Sequence, residues 1–244
     1  MAKASLFIFI SLLVIFVFYA VASPNKKTRS QQNNPPVVTI VSPANNSNVL
    51  PGVPIHYSIT VSDKEDGESK YDEINPKEVL LEVKYKSDAL TSNEGNDKTV
   101  RDDAPGLAAI RTSNCFNCHG FDTKVIGPTF TDINKRYKPT ASNIALLAKR
   151  IREGSTGVWG DIAMPSHPEL NKNQIQNMVT WIMENASGTN VHYYIGTQGI
   201  FSLKAPSKNY QGGAYTLTAS YTDHGIENKG ERLKGQDVII IHTK

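Results

Sequence analysis

The sequence predicts a multidomain chain in which an all-α segment interrupts an all-β one. Three observations carry this. Apolar residues alternate with polar ones between residues 37 and 85, the period of half-buried strands. Between residues 105 and 185 the apolar period becomes helical, with i, i+3, i+4 spacing. After Gly188 the strand pattern returns. The chain has 244 residues, 26 Lys and Arg against 23 Asp and Glu, and a net charge of +3. That balance does not favour a nucleic-acid partner, which would call for a basic face or stripe. Two cysteines exclude a disulfide-stapled scaffold and a self-contained four-cysteine zinc site.

The N-terminus carries Lys3 and an apolar run within residues 4–22, unbroken from Leu6 to Ala22. Ala20-Val21-Ala22 offers the small-x-small pattern of a cleavage site, so residues 1–22 read as a signal peptide or as a membrane anchor. Lys26, Lys27 and Arg29 disfavour the anchor. Either way the remainder is expected outside the cytoplasm, in the periplasm, soluble or tethered to the inner membrane. Residues 23–36 are polar and Pro-bounded, a flexible linker.

The first β part is expected over residues 37–88. Val37 to Val41 are all β-branched, and Ser42-Pro43 stops them. Ile55, Tyr57, Ile59 and Val61 alternate, as do Val79, Leu81, Val83 and Tyr85. Between these two strands lies an acidic loop from Asp63 to Glu73. The spacing of an EF-hand calcium loop is absent, so a solvated loop is the reading, with calcium left open. The helical segment is expected over residues 100–188. Asp103 is a candidate cap with Pro105 in the first turn, and further helices begin after Pro128, near Ser142 and near Asn171. Asn171 with Gln174 resembles a capping box. The second β part, residues 190–244, offers Ile200 to Leu203, Tyr215 to Tyr221 and Val238 to Ile241.

The chemistry lies in Cys115-Phe116-Asn117-Cys118-His119, the C-x-x-C-H pattern of covalent haem attachment. Two thiols on one turn can add to the two vinyl groups of one haem, and the next residue offers an imidazole to the iron. A thioredoxin-like pair would need a preceding strand, a zinc knuckle a second cysteine pair, and a structural disulfide would leave His119 unexplained. Met164, in a loop before Pro165 and 45 residues after His119, is the candidate sixth ligand, with His167 as its rival. Met178 reads as core filler on the last helix. The metal ligands are thus expected to be His119 and Met164.

Residues 104 to 187 resemble the short, single-haem bacterial class I cytochromes c. Beyond the haem motif, the likeness rests on Ile126-Gly127-Pro128, on Lys149-Arg150-Ile151, and on Gly157-Val158-Trp159-Gly160 followed by Met164-Pro165. The resemblance implies one covalent haem c and single-electron transfer rather than catalysis. It also implies that the Pro128 carbonyl holds the His119 imidazole, and that Arg150 and Trp159 bond a haem propionate. Guanidinium and indole N–H suit a carboxylate. Trp181 keeps a packing role. The flanks resemble β-domains found beside cytochrome c modules in exported quinoprotein-type sugar dehydrogenases. That second likeness implies a redox partner class, not an activity.

Three strands in each flank would leave open edges, whereas six or seven suit an immunoglobulin-like sandwich. The expected fold is therefore a class I cytochrome c domain inserted in such a sandwich. The expected function is electron transfer between a dehydrogenase and a respiratory acceptor. The alternative is a β-sandwich module for carbohydrate binding or adhesion, with Tyr193, Tyr194 and Phe201 as surface aromatics and the haem domain as an accessory.

Overall fold

The computed structural model describes residues 32–86, 99–188, 190–203, 213–228 and 230–243. The N-terminal apolar run and most of the linker after it lie outside the described residues. Among the described residues no helix is long and apolar enough to cross a membrane.

Nine strands and four α-helices are described. Before the helices come β1 (Val37–Ser42), β2 (Ser47–Val49), β3 (Pro54–Asp63), β4 (Gly67–Glu68) and β5 (Leu80–Lys86). After them come β6 (Val191–Ile195), β7 (Gln198–Ser202), β8 (Gly213–Thr222) and β9 (Lys234–Thr243). The strands form two sheets. In the first, β1, β4 and β7 all pair antiparallel with β3. The second has the order β2-β9-β8-β5-β6, antiparallel except for the parallel pair β2 and β9. Each sheet thus mixes strands from both flanks. The two ends of the intervening segment also meet, since the Tyr85 N–H donates to the Asn190 carbonyl at 2.8 Å.

Side-chain alternation explains how the second sheet serves two cores. Leu81 and Val83 of β5 and Tyr194 of β6 face a core shared with the first sheet, where Ile40, Tyr57, Ile59 and Val61 meet Leu217, Tyr221 and Ile241. Their neighbours Leu80, Tyr193 and Ile195 point the other way, into the helical core. Burial of Leu80 alone stabilises that junction by roughly 1.5–3 kcal/mol. The helical segment therefore draws part of its core from the sheets. The three aromatics expected at a binding surface are committed to packing. Phe201 is buried, Tyr193 stacks on Phe121 at 4.9 Å, and Tyr194 lies against Tyr57 and Phe201.

The helices are α1 (Pro105–Thr112), α2 (Phe130–Arg136), α3 (Ala141–Glu153) and α4 (Lys172–Asn185). The capping box of α4 is present, with Asn171 and Gln174 each accepting from the other's backbone N–H. Thr129 and Thr140 cap α2 and α3. Asp103 does not cap α1: Ala104 occupies that position and makes no side-chain bond. Asp103 pairs instead with Arg111 and Lys234, because two cations offer a buried carboxylate more than backbone N–H groups do. Arg111 is the main polar tie between helices and sheets. Its side chain is 4% exposed, and the guanidinium donates to Asp103, to the Ser220 hydroxyl and carbonyl, and to the Glu78 carbonyl. Gly106 lets α1 cross α4, since a Cβ there would overlap the Asn177 carbonyl and the Trp181 side chain. Trp181 and Met178 are buried in this crossing, as a packing role requires.

Candidate haem site

The C-x-x-C-H segment folds as one tight turn. Residues Cys115–Asn117 form a 3-10 helix preceded by Asn114 in the left-handed region. The N–H groups of Cys118 and His119 both donate to the Cys115 carbonyl, at 3.1 and 2.9 Å. This brings both thiols and the imidazole to the wall of one cavity of about 350 Å³. The cysteines are free and partly buried. Burial pushes the Cys115 thiol up to about 12, so it stays protonated near neutral pH.

His119 is 9% exposed and held on three sides. Its Nδ1 lies 2.7 Å from the Pro128 carbonyl. A carbonyl can only accept, so the proton sits on Nδ1 and the Nε2 lone pair is left free. Burial, above all, lowers the His119 pKa, against the upward pull of the Pro128 bond, and keeps the ring neutral. The Phe130 ring stacks on the imidazole with a 12° interplanar angle. The loop that supplies Pro128 is fixed by the N–H groups of Ile126 and Gly127, which both donate to the Cys118 carbonyl. Gly127 lies hard against the ring: a Cβ there would stand 2.6 Å from His119 Cε1. Gly127→Ala should therefore lower stability by about 1–3 kcal/mol through overpacking. The midpoint of chemical denaturation measures it, and an unchanged midpoint would mean that the ring moves aside without loss.

The loop after α3 supplies a further wall. Ser155 and Met164 form an isolated antiparallel bridge, with N–H to carbonyl distances of 2.8 and 3.1 Å. Met164 and His167 both line the cavity. His167 is engaged elsewhere through Nδ1, 2.9 Å from a Glu169 carboxylate oxygen. Arg150 and Trp159 line the cavity too. Arg150 donates to the Tyr137 hydroxyl at 2.6 Å. The Arg136 guanidinium lies 4.5 Å from the centre of a Trp159 ring and donates to the Val158 carbonyl. Sequence reading missed Arg136 and Tyr137. Both sit at the end of a helix, where a cation and an aromatic carry no motif. An apolar stretch of wall comes from Ile110, Ile133, Leu147, Ile151 and Val179, and Lys124, Thr156 and Asp161 also line the cavity.

All seven residues expected at the site line this one cavity: Cys115, Cys118, His119, Pro128, Arg150, Trp159 and Met164. Two thiols, a neutral imidazole with one free nitrogen, a thioether and an apolar wall with polar donors suit a covalently attached haem. A family model for cytochrome c matches residues 104–186. Cytochrome c-551 of Pseudomonas aeruginosa is 36% identical over 74 residues, covering 30% of this chain and 70% of that protein. The chain belongs to the cytochrome c family. Cytochrome c-551 of Azotobacter vinelandii is 32% identical over 78 residues, covering 32% of this chain and 94% of that protein. The crystal structure of wild-type Nitrosomonas europaea cytochrome c552 is similar at 34% identity, covering 32% of this chain and 95% of that one, with a TM-score of 0.31. As a cytochrome c, this protein carries a single covalently bound haem c and is a haem-based electron carrier. Its strands lie outside the matched residues.

Proposed function

We propose that the chain is an exported cytochrome c that passes single electrons from a dehydrogenase to a respiratory acceptor, with His119 and Met164 as the residues that would hold the iron. When bound, the haem supplies a one-electron iron couple, and His/Met ligation raises its potential. Cys115 and Cys118 hold the group covalently. His119 offers Nε2 in a fixed tautomer, and Phe130 and Pro128 keep the ring from turning. Arg150 and Trp159 would donate to the haem's propionate carboxylates. The observation that carries this reading is the pinned, neutral His119 sharing one cavity with Met164.

Apolar side chains among the cavity-lining residues support docking of a redox partner: Ile162 is 71% exposed, and Ile126 and Trp159 are also exposed. A quinoprotein-type sugar dehydrogenase is the partner class we favour, from the likeness of the flanks. We read the two sheets as an immunoglobulin-like sandwich into which the cytochrome is inserted, its domains being 37–88 with 190–244, and 100–188. The adjacency of Tyr85 and Asn190 supports this, since an inserted domain needs its ends close together. Residues 1–22 act as signal peptide or anchor, and the rest works in the periplasm.

The test is Met164→Ala. It should abolish the Met–iron(III) charge-transfer band and lower the midpoint potential by on the order of 100 mV, within the ~0.8 V that axial ligands span. Met178→Ala should keep the band. A band that survives Met164→Ala sinks the assignment and makes His167 the next candidate.

A further inference from the structure

The acidic loop after β3 takes no part in the haem site, yet its first residue is buried and incompletely bonded. Asp63 is 6% exposed. One carboxylate oxygen accepts from the N–H groups of Glu65 and Asp66, at 2.9 and 2.7 Å. The other is buried without a partner. Asp223, which follows β8 in the other sheet, is fully buried. Its Oδ1 accepts from Gly225 and Leu233, and its Oδ2 from the Asn33 amide at 2.9 Å. The Asn33 Oδ1 is itself buried without a partner. Asn33 lies in the segment leading into β1, and its amide also donates to the Glu231 carbonyl. The Asp63 loop reaches the same region through Asp66, whose N–H donates to Asp63 and whose Oδ2 accepts from the Tyr221 hydroxyl and the His224 N–H on either side of Asp223.

Among the described residues no cation neutralises these two carboxylates: no ion pair involves Asp63 or Asp223, and the nearby His224 is directed to Asp66 and Glu78. Burial foremost, and then the charges of Asp66 and Asp223, push the Asp63 carboxyl upward, against the opposing pull of its two N–H bonds. A buried acceptor without a donor is costly. An oxygen-seeking cation would satisfy both orphan oxygens and both carboxylates at once.

We propose that Asp63, Asp223 and the Asn33 amide oxygen bind a hard divalent cation of the calcium class, with water completing its shell. Calcium takes six to eight oxygen ligands in flexible geometry, whereas magnesium demands a near-ideal octahedron. No three Asp, Glu, His or Cys side chains form a ready cage among the described residues. The set is mixed, two carboxylates and an amide, which points to weak affinity, with Kd on the order of 10⁻⁴–10⁻³ M. The bound ion would clamp the first sheet, the second sheet and the segment leading into β1 to one another.

The full haem-loaded chain, freed of metal, is titrated with calcium chloride or magnesium chloride by calorimetry, and its thermal unfolding is followed by far-ultraviolet circular dichroism. Calcium should bind saturably, one per chain, and raise Tm by about 3–6 °C at ten times Kd, with magnesium weaker. Asp63→Asn keeps the oxygen that accepts from Glu65 and Asp66. It should weaken calcium binding more than tenfold, yet be at least as stable as the parent in chelator, because it removes a buried charge. Asn33→Ala should weaken binding while leaving both carboxylates in the chain, although it also removes the amide donor to Asp223 Oδ2. The proposal falls if neither saturable heat nor a Tm shift appears up to about 10 mM calcium. It falls equally if Asp63→Asn binds calcium as tightly as the parent. The haem spectrum reports separately on the cytochrome, so failure here leaves that reading standing.

Discussion

A fragment spanning residues 32–86 should remain unfolded in water. Its β5 pairs with β8 on one side and β6 on the other, and both lie beyond the cut. Its β2 has lost β9, and β3 has lost β7 along Pro54 to Ser58. The facing core residues Phe201, Leu217, Tyr221, Ile239 and Ile241 are absent as well. At about 1.5–3 kcal/mol per buried side chain, their loss removes roughly 8–15 kcal/mol, the whole stability of an ordinary domain. A protein in which a short Gly/Ser linker replaces residues 87–189 keeps every one of these ladders. It should unfold cooperatively, because Tyr85 and Asn190 already stand within hydrogen-bond distance. Without the helices it exposes Leu80, Tyr193 and Ile195, so its solubility should be lower. Circular dichroism and amide proton dispersion distinguish the two proteins. A cooperatively folding 32–86 fragment would mean that the first flank is a module in its own right.

Much of this architecture was legible because local rules and tertiary packing agree. The alternation of Ile55, Tyr57, Ile59 and Val61 is the burial pattern of β3. Asn171 and Gln174 form their capping box, and the C-x-x-C-H segment is a turn that brings its two thiols and its imidazole to one cavity. What escaped notice lacks a local signature. β6 carries Tyr193 and Tyr194, which face two different cores, so neither neighbour is polar and no alternation appears. β2 and β4 are too short to show a period. Asp103 has the chemistry of a cap, but the competing pull comes from Lys234, distant in sequence. Asp63 and Asp223 are likewise remote from each other and share no spacing motif. The helical core also takes in Leu80, whose position in a strand pattern cannot say which sheet face meets a second domain.

Arg111 gives the sharpest measure of that junction. Arg111→Met should lower the unfolding free energy by about 3 kcal/mol, the lower end of the 3–5 kcal/mol typical when one partner of a buried ion pair is removed. The lower end applies because Lys234 still neutralises Asp103 after the substitution. What the variant loses without replacement is the donor to the Ser220 carbonyl and hydroxyl and to the Glu78 carbonyl. Methionine keeps much of the aliphatic stem, so the loss reports on the guanidinium rather than on a cavity. Ser220→Ala, which deletes only the hydroxyl acceptor, should cost about 1 kcal/mol. Arg111→Lys should fall between them, since one ammonium cannot span the acceptors that the planar fork reaches together. Arg111 does not line the haem cavity, so the visible spectrum of each folded variant should match the parent. Chemical denaturation followed by circular dichroism reads the free energies. A loss below about 1 kcal/mol for Arg111→Met would show that the helices and sheets hold together by apolar contact alone, with the buried guanidinium contributing no more than a surface pair does.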